Sequence, residues 1–329
     1  MPYLQPSRSD VHVDVPLSNV SIAFMQKATN FVADRIFPIV TVAKQSDKYF
    51  TYDRGMFNRD EMKLRAPGSE SAGATYSLST ASYSADVWAL HKDIADQVRA
   101  NADTPIQLDR EATEFLAGKA LIRKEKNWAG LHFATGKWTT ERAGVASGPT
   151  GTEFLRWDVA ASTPIEDVRA GATAMAVLTG FRPNKMVLGR NVWDSLVDHP
   201  DIIGRIDRGQ TAGAAIVLRQ NLAALFEMDE ILVMDSIENT ANEGATNVHA
   251  FIGGNHALLA YAAPSPGLMI PSAGYTFAWS GFLGGGALGT RMKRMRMEHL
   301  ESDRLEIEMS FDQKLVAADL GSFFLNTVS

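Results

Sequence analysis

The sequence predicts an α+β fold in which an extended arm and a long hairpin precede a strut-like helix, followed by a mixed unit of helices and strands. Three observations carry this. Leu305, Ile307, Met309 and Phe311 alternate with Arg304, Glu306, Glu308 and Ser310, the pattern of a strand with one buried and one charged face. Thr104-Pro105-Ile106-Gln107 and Thr163-Pro164-Ile165-Glu166 each put Thr at the N-cap, Pro at the first helical position and Gln or Glu two residues later, so two helices should start there. Between Ile39 and Ile94, two β-branched and aromatic flanks enclose a polar stretch, which reads as a long hairpin.

In chain order, residues 1–36 carry Pro2, Pro6 and Pro16 among Ser, Asp and Asn and cannot fold on themselves; they form either a loose tail or an arm ordered by lying across a neighbour. Phe24, Phe31, Ile36 and Phe37 supply apolar anchors that a solvated tail would lack. The hairpin flanks are Val40 to Tyr52 and Tyr76 to Trp88, and the charged tip runs from Arg54 to Ala74. Two-stranded ribbons are marginal in water, so this projection is expected to rest on another subunit. The first helix, 105–132, has Leu108, Ala112, Phe115, Ile122 and Ala129 along one side, acids early and bases late. It should be a strut roughly 42 Å long at 1.5 Å per residue. Residues 135–151 read as a loop. The second helix places Ile165, Val168, Ala172, Met175 and Leu178 on one face to pack on a sheet, and stops at Gly180. A short strand and a helix with Trp193, Leu196 and Val197 follow, then a charged stretch with Asp201, Arg205, Asp207 and Arg208, a helix over 215–226, and strands over 231–234, 248–261 and 275–279.

Composition limits the function classes. The chain has 329 residues, 45% hydrophobic and 21% charged, enough for a sizeable core in one large or two intermeshed domains. With 32 Lys+Arg against 38 Asp+Glu, the net charge of −6 weighs against a protein built to grip nucleic acid, although an acidic shell can enclose DNA. The absence of cysteine excludes disulfides, thiolate catalysis and Cys-ligated metals. No secretory signal and no membrane-length apolar run is expected.

Few residues suggest chemistry. Gly284 to Gly289 satisfies G-x-G-x-x-G, but no helix pattern follows it and no acid stands about 20 residues on, so a flexible turn is the better reading than a nucleotide site. The seven histidines show no metal-ligand spacing, and no nucleophile elbow or P-loop is present; no cofactor and no enzyme activity is expected. Arg291, Lys293, Arg294 and Arg296 form the one dense basic run. They would contact phosphates of packaged DNA or, the favoured reading, pair across subunits with the acids between Glu298 and Glu308.

The run RPNKMVLGRNVWDSLVDHPDIIGRI at 182–206 resembles the A-domain opening of major capsid proteins of tailed double-stranded DNA bacteriophages, of the HK97-like fold. The resemblance extends through ADRIFPIVTVAKQSDKYFTYDRG at 33–55, LFEMDEILVMDSIENTA at 225–241, PSPGLMIPSAGYTFAW at 264–279 and ESDRLEIEMSFDQKLVAADLGSFFLN at 301–326. It implies an N-terminal arm (1–36), an E-loop hairpin (37–94), a P-domain (95–161) with a spine helix at about 105–132, an A-domain (162–290) and a return to the P-domain (291–329). It also implies pentamers and hexamers tiling an icosahedral virion shell around DNA, assembled in the host cytoplasm with a separate scaffolding protein, a portal and a decoration or cement protein. An encapsulin-like nanocompartment shell is the alternative within the fold; a nucleotide-binding enzyme and a tail or decoration protein are the alternatives outside it. Inter-subunit contacts are expected at Phe24, Phe31 and Phe37 in the arm, at Lys48, Arg54, Arg59, Asp60, Glu61, Lys63, Arg65 and Glu70 in the hairpin, and at Arg205, Arg208, Arg304, Glu306 and Glu308. Neither Lys48 nor Lys63 sits in a motif that supports a covalent crosslink.

Overall fold

The computed structural model describes residues 26–102, 107–207, 218–267, 270–281 and 290–329. After a short 3₁₀ turn come α1 (Ala33–Ile36), β1 (Ile39–Val42), β2 (Ser46–Tyr52), α2 (Arg54–Phe57), β3 (Leu78–Ser84), β4 (Asp86–Ala95), α3 (Asp96–Ala100) and α4 (Leu108–His132). Then follow β5 (Thr140–Val145), β6 (Phe154–Leu155), α5 (Pro164–Thr179), β7 (Lys185–Gly189), α6 (Arg190–Val197), α7 (Pro200–Asp207), α8 (Arg219–Leu225) and β8 (Glu230–Met234). The last third holds β9 (Ile237–Asn239), β10 (His249–Phe251), β11 (Ala257–Ala260), β12 (Gly274–Trp279), β13 (Thr290–Met297), β14 (Ser302–Leu315) and β15 (Gly321–Leu325).

A six-stranded sheet, β6-β5-β15-β11-β7-β8, forms the centre of the second half. Its strands β7, β8, β11 and β15 are mostly apolar because both faces are covered, whereas β5, at the side of the sheet with β6, carries Thr140, Glu141 and Arg142 and is half-buried. Met186, Leu188, Ile231, Val233, Leu259 and Phe324 face α5 to α8, whereas Val187, Leu232, Leu258 and Phe323 face Trp128 and Phe133 at the end of α4 and Phe37 beyond α1. The expected stripe of α5 does pack on this sheet, and the fit is tight: a Cβ on Gly171 would lie 2.7 Å from Cζ of Phe324. Gly180 closes α5 at φ 78°, a conformation that glycine adopts without steric cost. Thr163 precedes Pro164 as expected, yet its side chain makes no capping hydrogen bond. Glu166 pairs with Arg205 at 3.0 Å and does not reach back to close a capping box.

The second sheet is organised by β14. It pairs with β4 along one edge, and with β13 and then β12 along the other, and β1 lies parallel to β12. The alternation is realised over 304–307, with Leu305 and Ile307 packed on Ala112 and Leu116 of α4, but from Glu308 on the other face is covered too: Glu308 and Ser310 are buried. Four expectations are corrected here. Residues 140–145, expected within a loop, form β5 and pair parallel to β15. Only β2 and β3 form the hairpin, because the Val87–Trp88 flank belongs to β4 and is held by ten residues of pairing to β14. The long helix starts at Leu108 with Gln107 as N-cap, and Arg99 fixes its first turn through two 2.8 Å bonds to Asp109; Thr104 and Pro105 lie outside the described residues. Its buried face is the expected one at Ala112 and Ala129, with Leu108 packed beside Ala112, but not at Phe115, which is exposed beneath Lys92 and Lys119; Leu116, Glu125 and Trp128 face inward as well. The closing strand β15 enters the six-stranded sheet between β5 and β11, so the chain's end is not confined to the sheet of β14.

Candidate assembly surfaces

The hairpin is fixed at its root and free at its tip. β2 and β3 pair antiparallel from Ser46↔Ser84 to Tyr52↔Leu78. At the root, Tyr49 and Tyr83 stack on Phe277 of β12 with centroids 5.4 and 4.6 Å away. Tyr52, Phe57 and Tyr76 form a ring cluster where the strands end, and Arg54 is ion-paired to Asp319 of the body. Beyond it the contacts are local: Asp53 caps Gly55 N at 2.9 Å, Arg59 lies 3.7 Å from Glu61, Asp60 accepts from Met62 N, and Arg65 donates to Ser69 O. Lys48, Lys63 and Glu70 are exposed. Met62 and Leu64 are 93% and 104% exposed, which a free subunit gains nothing from keeping in water. Between the hairpin and the body lies a crevice of about 650 Å³ walled by Tyr49, Phe50, Phe57, Phe181, Ile270 and Tyr275.

The root of the arm is clamped by α4. Glu125, 1% exposed, accepts from Val32 N at 3.0 Å and Ala33 N at 2.9 Å, so it caps the first turn of α1 from outside. Burial pushes its carboxyl up to about 7 despite those donors. Lys124 bonds Asp34 at 2.7 Å, and Gln26 is held by two hydrogen bonds to the backbone of Ile237. Glu125 was not singled out from sequence, although it stands three residues after Ile122 and four before Ala129, on the apolar stripe itself. Phe37, expected at an interface, is a core residue: fully buried, 5.8 Å from Trp128 and 4.9 Å from His132 by ring centroids. Phe31 is half-buried, and Phe24 lies outside the described residues.

The basic run is β13, and its charges are matched within the chain. Arg291 and Lys293 bond Glu308, which burial would raise but these donors hold below the usual carboxylate range. Lys293 also lies 3.7 Å from Glu306. Arg294 bonds Asp303 at 2.6 Å; Arg296 bonds Asp96 and approaches Asp303 at 3.4 Å. Arg304 grips Asp93 through two bonds of 2.7 and 2.9 Å and holds it below its ordinary value. The expected inter-subunit pairing is therefore corrected for this cluster. Register puts the partner acids on β14, β4 and α3 of the same subunit, and Glu308 is too buried to meet a second one. Arg205 pairs with Glu166 and lies 3.9 Å from Asp201; Arg208 and Gly284 to Gly289 lie outside the described residues. Two histidines are buried in the packing: His132 bonds Gln313 O at 3.0 Å, and His199 bonds Ser162 Oγ at 3.0 Å. No helix among the described residues is long and apolar enough to cross a membrane.

Comparison with known proteins adds to this geometry. A family described as phage major capsid protein E matches residues 155–272. The chain is 25% identical over 323 residues to a major capsid protein of Pseudomonas phage JBD67, covering 98% of this chain and 99% of the relative. It is also 25% identical over 318 residues to that of Burkholderia phage BcepMu, covering 94% of each. The fold is that of HK97-like capsid proteins and encapsulins. A capsid structure of cyanophage P-SCSP1u aligns with TM-score 0.64 at 14% identity, covering 98% of both chains. The SrpI encapsulin of Synechococcus elongatus aligns with TM-score 0.55 at 9% identity over 95% of both.

Proposed function

We infer that the chain is a phage major capsid protein, a structural protein that assembles with copies of itself into a shell. The observation that carries this is likeness to phage major capsid proteins across nearly the whole chain, not in one segment. The encapsulin reading is weaker, since it rests on fold alone.

In the finer reading, residues 1–36 are the arm, 37–94 the E-loop region, 95–161 a P-domain, 162–290 an A-domain and 291–329 the return to the P-domain. Copies form pentamers and hexamers of an icosahedral virion shell around double-stranded DNA. Assembly takes place in the host cytoplasm with a scaffolding protein, a portal and a decoration or cement protein as partners. A hairpin fixed at its root and bare at Met62 and Leu64 supports a tip that finds its burial on a neighbour. Contact with DNA through β13 is supported less, because its cations already have carboxylate partners; non-specific contact would fall elsewhere on the inner surface.

The test is electron microscopy with sedimentation velocity of the purified protein, alone and with a scaffolding partner. Closed shells or capsomer rings are expected, and a monodisperse monomer under both conditions would overturn the reading. Deleting Met56 to Ala72 should leave a folded subunit that makes no closed shells; normal particles from it would remove the hairpin from assembly.

A further inference from the structure

β13 is an edge strand of eight residues. Its inner edge pairs with β14 along its whole length, and no strand among the described residues lies on its outer edge. A long bare edge is a template for another extended segment. Its two faces differ. Met295 and Met297 stand on one face with Arg291 and Lys293, while Arg294 and Arg296 stand on the other. Both Arg294 and Arg296 are ion-paired, yet their side chains keep 54% and 39% exposure and so retain donors for a second acceptor.

The chain carries a segment with the matching two-faced pattern. Asp10-Val11-His12-Val13-Asp14-Val15 alternates acid or histidine with valine, and Pro16 ends any ladder just after it. The described chain begins at Gln26, tied to Ile237 by bonds of 2.6 and 2.8 Å. From there to Val15 an extended chain spans roughly 35 Å. In a closed shell of identical copies each subunit supplies one such segment and one such edge, so exchange to a neighbour satisfies all of them.

We propose that residues 10–15 of one copy add as a strand to the outer edge of β13 in a neighbouring copy, with Val13 opposite Met295. In either strand direction this register sets Asp14 directly opposite Arg294 or Arg296, a pair of unlike charge that attracts, and sets the neutral imidazole of His12 opposite the other arginine. The valines fall on the methionine face. The inference rests on the shell reading above.

Because the protein has no cysteine, an engineered pair would be its only thiols. In the double variant Val13→Cys with Met295→Cys, mild oxidation of assembled particles should give covalent multimers on a non-reducing gel. Val13→Cys with Met292→Cys, on the opposite face, should remain monomeric. Only monomers from the first pair, a bond closed within one chain, or equal linkage from the second would overturn the proposal. As a second readout, hydrogen exchange at residues 290–297 should be several-fold slower in wild-type particles than in those lacking residues 1–17, and unchanged exchange would also overturn it. If the wild type makes no shells, the capsid reading fails separately. Cross-linking is then read on whatever oligomer sediments, where its absence still removes the strand.

Discussion

Replacing Glu125 by Gln should make the free subunit acid-sensitive. Glu125 and His132 are both buried on α4, and their effects on stability oppose each other. The Glu125 carboxyl rises from 4.5 to about 7 through burial. The native state therefore binds more protons than the unfolded state between those values, and this group's contribution falls as pH rises through 7. Burial lowers His132 from 6.5 to about 4, so its contribution is present above 6.5 and is lost as pH falls toward 4. Each displacement corresponds to about 3 kcal/mol between protonation states. From pH 7 to pH 5, Glu125 gains and His132 loses about 2 kcal/mol each, so the pair nearly cancels. Gln at 125 keeps an acceptor for Val32 N and Ala33 N but cannot titrate, which leaves the His132 loss uncompensated. Thermal unfolding of unassembled subunits from pH 5 to 7.5 should show the variant losing about 2 kcal/mol relative to wild type toward pH 5. All other carboxylates contribute equally to both proteins and drop out of the difference. Parallel profiles would refute the reasoning. Glu125→Ala should cost about 2–5 kcal/mol at pH 7 by leaving two buried N–H groups unpaired, a loss that grows toward pH 5 because Ala cannot titrate either, and should open the arm root to protease.

Phe37→Ala should cost about 3–5 kcal/mol in subunit unfolding, because it empties a site closed by Trp128 and His132; a wild-type melting temperature with defective assembly would restore Phe37 to an interface. Gly171→Val should cost about 1–3 kcal/mol or more by driving a side chain into Phe324, read by denaturant midpoint, and no change would mean that α5 can lift from the sheet. Asp303→Asn removes the carboxylate shared by Arg99, Arg294 and Arg296, so the melting temperature should fall, and fall less at high salt. A salt-independent loss would point to packing instead.

The sequence displayed its periodic elements and hid its polar ones. Alternation at 304–311 and the stripe from Ile165 to Met175 were legible because an apolar period of two or about 3.6 has few other physical causes. The boundary of the hairpin was not, since β3 and β4 are separated by Ala85 alone and only tertiary pairing sends β4 to β14. Phe37 looked like an anchor for a neighbour because nothing local distinguishes an aromatic that meets its own core from one that meets another subunit. Glu125 was passed over because helix charges are read as solvated, and burial of a carboxylate is decided by which backbone N–H groups stand opposite it.

The same limit governs how assembly surfaces are chosen. A sequence rich in opposite charges around 291–308 invites the view that ion pairs hold subunits together. In the folded chain those charges lie on adjacent strands and largely satisfy each other, so breaking them to form equivalent pairs with a neighbour would gain little. What the fold leaves unspent is of another kind: Met62 and Leu64 at a tip with no core of its own, an apolar crevice beneath the hairpin, and the outer backbone of β13. Burial of apolar tips is tolerant of small angular differences, and a backbone ladder is tolerant of side-chain identity. In the proposed shell, where one sequence fills both pentamers and hexamers, contacts with that tolerance serve better than the fixed geometry of bidentate ion pairs.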